Sequence, residues 1–285
     1  MERESDYSFD GITQLTEKEF RLISDLIYSK FGINLTEKKK ALIRGRLHKL
    51  IRNEGYKSFE EYYNAVVNDK TGKNLLMMVD RLSTNHSFFF RESEHFDYLS
   101  NTILPEMARR LERENSPDLK IWSAGCAAGE EPYTLGMILL DHFDLQFFRS
   151  KPAILATDIS ITSLAQALEG EYPEERIKPV SDVYRLKYLE KAGPGRYRVK
   201  DTLKKLILFK RLNLMSETFP FKGKFHLIFC RNVMIYFDNE TKQRLITKFH
   251  NYMYDNGYLF IGHSETLGRG TNLFRYIQPA LYQKV

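Results

Sequence analysis

Five apolar runs of strand length, separated by helix-patterned or polar segments, fill the later part of this 285-residue chain and leave few folds open to it. The runs are LKIWSAGC (119–126), AILATDI (153–159), LILFKRLNL (206–214), FHLIFC (225–230) and GYLFIGH (257–263). After the first comes EEPYTLGMILLDHF (130–143), and after the second SITSLAQALEG (160–170), both with helical patterning. Pro132 falls in a first helical turn, where its missing N–H costs nothing. Strands alternating with helices predict a mostly parallel sheet covered on both faces. The closing FRYIQPALYQKV predicts a terminal hairpin and thus an antiparallel last strand. One stretch, about 172–205, is charged and carries Gly193-Pro194-Gly195 before an alternating RYRVK. It reads as an inserted β-subdomain between the second and third strands.

From Leu15 to Leu82 the apolar residues recur at three and four, so this part is helical throughout. Thr16 with Glu19 predicts a capping box for a first helix ending near Phe31-Gly32. Thr36 is expected to cap a second, KKKALIRGRLHKLIRNEG, stopped by Gly55. A third starts at Ser58, and a fourth runs from Gly72 to Leu82. The expected division is a tail over 1–14, a helical domain over 15–82 and an α/β domain over 83–285, whose strand periodicity sets in after Asn115-Ser116-Pro117.

Hydrophobic residues at 42% and charged residues at 28% describe a soluble globular chain, and no apolar run is long enough to span a bilayer. The acidic, polar start MERESDYSFDG does not read as a signal peptide. Cys126 and Cys230 have no CxxC or His-rich spacing, so neither a disulfide framework nor a metal site is expected, and the cytoplasm is the natural compartment. A formal charge of +6 favours an acidic partner but leaves nucleic acid, a membrane surface and an acidic protein helix open.

Polar residues interrupt the strand ends where α/β folds bind ligands. In WSAGCAAGEEPY (122–133), Gly125 and Gly129 lead into a helix start, allowing either close backbone approach to a ligand or tight strand–helix packing. Glu130 and Glu131 disfavour a pyrophosphate and suit a cationic ammonium or sulfonium, which points to S-adenosylmethionine rather than NAD. The same two acids also suit a helix dipole. Asp158, ending its strand, can take ribose hydroxyls or cap the next helix. In IFCRNVMIYFD (228–238), Arg231 and Asn232 break an otherwise dry run, and Asn213-Leu214 ends the preceding strand. Four such ends, at 126–131, 158, 213 and 231, are expected to converge on one crevice. Ahead of them, STNHSFFFRESEHF (83–96) sets Asn85, Ser87 and Arg91 around Phe88, Phe89 and Phe90. The aromatics read as core. His86 and His95 read as surface or hydrogen-bonded residues, since neither has a partner at ligand spacing. Arg91 can hold a carboxylate with two parallel hydrogen bonds.

At 85–91, 122–133 and 229–237 the chain closely resembles the chemotaxis receptor methyltransferases, the CheR family of glutamate O-methyltransferases. The resemblance runs from the helical part to Val285. It implies a helical N-terminal domain and a class I, Rossmann-like methyltransferase domain with a small β-subdomain. It also implies cofactor contacts at Asn85, Ser87, Arg91, Glu131, Asp158, Asn213, Leu214, Arg231 and Asn232, to which the loop reading adds Gly125. Arg91 and Tyr236 fall where the family places residues beside the transferred methyl. Ser87 replaces a common threonine, and Ala127-Ala128 replaces the usual Ser-Thr. The loop AGPGRY is shorter than in members that hold a receptor's C-terminal pentapeptide tether, which favours a tether-independent enzyme.

A glutamate carboxylate is already ionised at neutral pH, so its attack on a sulfonium methyl needs alignment rather than a general base. The helix around 38–52 offers Lys39, Arg46, Lys49 and Arg52 on a broad face, with Leu42, Leu47, Leu50 and Ile51 on the packed side. That face is either merely solvated or, as the resemblance implies, the dock for the acidic helical bundle of a chemoreceptor. The enzyme is expected to act as a monomer, without metal, nucleic acid or membrane insertion. A nucleic-acid methyltransferase is disfavoured because Arg231-Asn232-Val233-Met234 replaces the Asn/Asp-Pro-Pro-aromatic element of amino-methylating enzymes. A non-catalytic binding module of the same fold stays open.

Overall fold

The computed structural model describes residues 14–114, 118–143, 145–148, 152–268 and 272–285. The expected tail up to residue 13 and the Asn115-Ser116-Pro117 boundary lie outside the described residues. The chain divides into two compact units, Met1–Thr84 and Asn85–Val285.

The first unit is built from α1 (Glu17–Phe31), α2 (Lys40–Asn53), α3 (Phe59–Asn68) and α4 (Lys73–Leu82). Thr16 and Glu19 form the capping box, and Gly32 closes α1 in the left-handed conformation at φ 69°. Ser58 caps α3 by accepting from the Glu61 backbone. Thr36 does not cap as expected: its side chain makes no cap hydrogen bond, and a 3₁₀ turn over Glu37–Lys39 leads into α2 instead. Ile43, Leu47, Leu50 and Ile51 are the buried face of α2. Leu42 was expected there but is 43% exposed, because its neighbour Ile43 takes the inward position.

The second unit opens with α5 (Ser93–Tyr98) and α6 (Leu104–Arg113), joined by one π-helical turn. Its main sheet comprises β1 (Ile121–Ala124), β2 (Ile154–Asp158), β6 (Ile207–Arg211), β7 (Phe225–Cys230), β8 (Met253–Ile261), β9 (Phe274–Gln278) and β10 (Leu281–Lys284). The order is β6-β2-β1-β7-β8-β10-β9. The first five are parallel, and β10 pairs antiparallel with both β8 and β9. This is the expected mostly parallel α/β sheet with its terminal hairpin and antiparallel last strand. Every residue of β1 and β7 is buried, as strands covered on both faces must be. Trp122 anchors an aromatic cluster with Phe219, Phe221, Phe225 and Phe249, and donates its buried indole N–H to Thr157 at 2.8 Å.

Helices α7 (Glu130–His142) and α8 (Ile161–Glu169) follow β1 and β2, and α12 (Asn239–Asn251) precedes β8. The insertion is larger than a hairpin. Strands β3 (Glu171–Pro173), β4 (Leu189–Gly193) and β5 (Arg196–Val199) form a separate sheet with β5 central, accompanied by the short helices α9 (Glu174–Ile177), α10 (Asp182–Tyr188) and α11 (Asp201–Lys204). The third strand escaped the sequence reading because three residues, one of them proline, carry no measurable alternation. Chain order reverses between β1 and β7: β2 and β6 lie to one side of β1, β7 and β8 to the other. Such a switch point opens a crevice at the carboxyl ends of its strands.

Candidate functional site

Four neighbouring parallel strands, β6, β2, β1 and β7, deliver their carboxyl ends to this crevice. After β1 the chain turns through Gly125 (φ 95°), Ala127 (φ 47°) and Gly129 (φ 97°) before α7 begins. Gly125 is dictated by more than its φ. A Cβ there would stand 2.3 Å from Val233 Cγ2, so the loop after β1 and the turn after β7 are in direct contact. At Gly129 a Cβ would meet Ala167 Cβ and the Tyr172 hydroxyl, both at 2.9 Å.

Asp158 ties the loop after β1 to the turn after β2. One carboxylate oxygen accepts from Ala127 N at 2.8 Å, the other from Ser160 N at 2.9 Å. The cap of α8 itself is Ser160, accepting from Ser163 N. The helix-cap alternative for Asp158 therefore captures only part of its role.

Neither Glu130 nor Glu131 serves only the helix dipole. Glu131 accepts from Ser123 Oγ at 2.7 Å and from Arg231 Nη1 at 3.2 Å. Burial raises its pKa, and Arg231 and Ser123 offset only part of that. Glu130 is fully buried, with Arg176 Nη1 of α9 at 3.0 Å from Oε1. Burial raises its pKa too, against the pull of Arg176.

Arg231 lies just past β7, its side chain 2% exposed. Nη1 meets Glu131, and Nη2 donates to the Arg91 carbonyl and to Glu92 Oε2 at 3.1 Å. The guanidinium also covers the Phe96 ring, 5.1 Å from its centroid. Nη1 and Nη2 are thus committed to the protein, and only Nε is left buried without a partner among the described residues. Arg231 acts here as a clamp on the loop carrying Arg91, a role its position in the sequence did not reveal. Burial pushes the Glu92 carboxyl up, but Arg231 with the Asn232 and His263 donors outweighs it and leaves the group below the usual range.

The clamped loop is conformationally strained. Phe90 (φ 56°) and Glu92 (φ 55°) both lie in the left-handed region, where bulky side chains are disfavoured. Phe90 N donates to Thr134 Oγ1 at 3.2 Å, giving the loop a second hold. Arg91 Nη1 donates to the His86 carbonyl at 2.9 Å while the guanidinium lies 5.7 Å from the Phe88 centroid. Of the three phenylalanines only Phe89 is fully buried; Phe88 is 39% exposed and does not belong to the core. Asn85 Nδ2 donates to Ser163 Oγ at 2.6 Å, and the half-buried Ser87 stands beside Glu130.

Asn232 adopts φ 59°, and its backbone N–H donates to Glu265 Oε2 at 3.0 Å. Glu265 also takes Gly262 N at 2.6 Å and Ile235 N at 3.0 Å, thereby shaping the turn that leads into the 3₁₀ segment Met234–Tyr236. Tyr236 is half-buried there. Asn213 accepts from Met215 N at 3.0 Å in an Asx turn, and Leu214 is buried beside it. Glu92, Glu265, Thr134, Ser163 and Arg176 were not singled out from sequence. Glu92 and Glu265 each follow a strand or turn rich in apolar residues, the one signal that was available.

His95 is not a surface residue, and the Pro279 backbone is its one weak hydrogen-bonding neighbour among the described residues. It is 1% exposed, and burial together with Arg231 lowers its pKa to about 4. On α2 and the 3₁₀ turn before it, the expected docking cations differ among themselves. Arg46 Nη1 is spent on the Leu82 and Ser83 carbonyls at 2.6 and 3.0 Å and on Thr84 Oγ1 at 3.1 Å. Lys39 is half-buried, whereas Lys49 and Arg52 are exposed.

Residues 85–282 match the SAM binding domain of CheR methyltransferases, and 18–83 match their all-alpha domain. The chain belongs to the CheR methyltransferase family. It is 47% identical to a chemotaxis protein methyltransferase of Borreliella burgdorferi over 95% of each chain. A probable chemotaxis protein methyltransferase of Rhizobium etli is 38% identical over 90% of this chain and 96% of that one. Chemotaxis protein methyltransferase 1 of Pseudomonas aeruginosa is 34% identical over 91% and 94% respectively. The cofactor of this CheR family member is S-adenosylmethionine, and the crevice fits it. The strand-end acid Asp158 suits ribose hydroxyls, the left-handed loop over 125–129 lets backbone approach closely, and Glu131 suits a cationic amino-acid portion. Among the described residues no helix is long and apolar enough to cross a membrane.

Proposed function

We propose that this protein transfers the methyl group of S-adenosylmethionine to glutamate side chains in the helical bundle of methyl-accepting chemoreceptors, giving methyl esters and S-adenosylhomocysteine. The observation that carries the reading is the 47% identity over 95% of both chains to a chemotaxis protein methyltransferase. The supporting geometry is the strand-end crevice with Asp158 and Glu131. When bound, S-adenosylmethionine supplies an electrophilic methyl on a sulfonium.

The chain's own residues then position and desolvate. Asp158 holds ribose hydroxyls while fastening the loop after β1 to the turn after β2. Asn85, Ser87, Gly125, Asn213, Leu214 and Asn232 line the cofactor, and Arg231 contributes chiefly by fixing Arg91 and Glu131. Arg91 orients the incoming carboxylate, and the Tyr236 hydroxyl positions one of its oxygens. Attack needs no proton removed, since a glutamate is ionised well below neutral pH. Rate comes from alignment and exclusion of water.

The substrate side is the exposed basic face of α2, where Lys49 and Arg52 would meet an acidic receptor helix, in the cytoplasm. Arg46 supports that face from behind by holding the end of α4. The β4–β5 turn spans only Pro194-Gly195, which favours an enzyme that needs no receptor tether.

The test is to incubate the protein with methyl-labelled S-adenosylmethionine and a receptor helical fragment lacking its C-terminal tether, then treat the product with mild alkali. Volatile label released by alkali is expected. Alkali-stable label would overturn the carboxyl assignment. Label appearing only on a fragment that keeps its tether would overturn tether independence alone.

A further inference from the structure

Next to the Arg231 clamp is a group of side chains that the transfer reaction does not use. Glu92 precedes α5, His95 lies in its first turn, and His263 follows β8. One ligand atom from each lies within 4.8 Å of the others. The two imidazole rings stand nearly perpendicular, with centroids 4.7 Å apart.

His95 is the informative member. It is 1% exposed, and neither ring nitrogen makes a hydrogen bond of full geometry, the Pro279 backbone giving only a minor interaction. Its Nδ1 faces Glu92 Oε2 at 3.6 Å, too long for a hydrogen bond. A buried polar group left in that state costs roughly 1–3 kcal/mol. Phe260 packs edge-on against the ring at 5.6 Å and holds it in place.

We propose that Glu92, His95 and His263 form a binding site for a divalent transition-metal ion of the zinc type. Two imidazoles and one carboxylate are a donor set for Zn²⁺, Co²⁺ or Ni²⁺ rather than for Mg²⁺ or Ca²⁺, which favour oxygen-only shells. With bonds of about 2.1 Å, tetrahedral ligand atoms stand about 3.4 Å apart. The 3.6 Å between His95 Nδ1 and Glu92 Oε2 already has that spacing. His263 is exposed, so its ring is free to rotate the remaining distance. Three protein ligands leave a fourth position for water, as in open zinc sites.

The Glu92 carboxylate is itself held by neighbouring donors. Glu92 Oε1 accepts from Asn232 Nδ2 at 3.3 Å and from the His263 backbone at 3.4 Å, and Oε2 accepts from Arg231. Outer-shell hydrogen bonds of this kind fix the orientation of a ligating carboxylate. The Arg231 charge opposes a second cation, so affinity falls short of that of a closed structural site. The three ligands come from positions far apart in sequence, which is why no ligand spacing was visible.

The test uses tag-free, full-length protein stripped with chelator, titrated with Zn²⁺ by calorimetry and with Co²⁺ by visible absorption. One equivalent is expected to bind, with Co²⁺ showing the intense d–d bands of a four- or five-coordinate ion. The exposed His263→Ala substitution is expected to weaken binding by more than the about 10- to 100-fold typical of an outer-shell loss, with unchanged thermal stability. A His48→Ala control in the helical unit should bind like wild type. Absence of saturable binding, or equal affinity in wild type and His263→Ala, would overturn the proposal.

Discussion

The guanidinium of Arg231 donates to the backbone carbonyl of Arg91, joining the residue just past β7 to the residue proposed to face the methyl group. The same side chain meets Glu92 and Glu131. One buried cation therefore fixes two carboxylates and a strained loop. Removing it, as in Arg231→Ala, leaves both acids uncompensated, a loss of about 3–5 kcal/mol for a buried pair. Arg231→Lys keeps the charge but not the planar fork and should fall between. Chemical denaturation of the three proteins checks the order. Equal midpoints for wild type and Arg231→Ala would show that the clamp does not hold the fold.

Gly125→Ala is expected to harm the site for two separable reasons. The added Cβ collides with Val233 Cγ2, and φ 95° is strained for any residue with a side chain, at roughly 1–3 kcal/mol. Combining it with Val233→Ala removes the collision but not the strain. Cofactor affinity by calorimetry should therefore recover in part, and only in part, in the double variant. Full recovery would mean the backbone tolerates the substitution.

Asp158→Asn keeps the size of the side chain but turns one acceptor oxygen into a donor. Either Ala127 N or Ser160 N then loses its partner, along with a charge-assisted bond to ribose worth about 1.5–3 kcal/mol. The dissociation constant for S-adenosylhomocysteine should rise at least about tenfold. An unchanged constant would remove Asp158 from the cofactor site.

His226 provides a pH dependence of stability away from the site. Its Nδ1 accepts from Lys120 N at 3.1 Å, and burial, reinforced by Arg110 and Lys120 and opposed by Asp118 and Glu114, lowers its pKa from 6.5 to about 4. The unfolded chain takes up a proton below pH 6.5 that the folded chain refuses until about pH 4. Stability is therefore complete above pH 6.5 and declines on acidification, by about 2 kcal/mol between pH 7 and pH 5. His95 acts in the same direction. Urea midpoints measured across this range should show a flatter slope in His226→Gln than in wild type.

The parallel strands were legible because doubly covered strands are written as continuous apolar runs, as FHLIFC shows. Gly125 and Asp158 stood out because strand-end glycine and acid are local signals. What was not legible depended on distant partners. Arg231 reads as a pocket residue until Glu92 and Glu131 are seen against it, Leu42 as core until Ile43 takes the inward place, and His95 as a surface residue until His263 and Glu92 close on it. Arg46 reads as a docking cation until the carbonyls ending α4 claim it. Each is a contact between segments whose separation the sequence does not encode.

The most direct test of the account's central claim, that this crevice works by alignment without a general base, is single-turnover methyl transfer to a receptor fragment by Arg91→Ala and Tyr236→Phe. Cofactor affinity is measured on the same samples by calorimetry. Tyr236→Phe is expected to keep near wild-type cofactor binding and Arg91→Ala to lose a modest part of it, while transfer slows at least about tenfold, or about 1.4 kcal/mol, in each. Wild-type transfer rates in both variants, with cofactor bound, would contradict it.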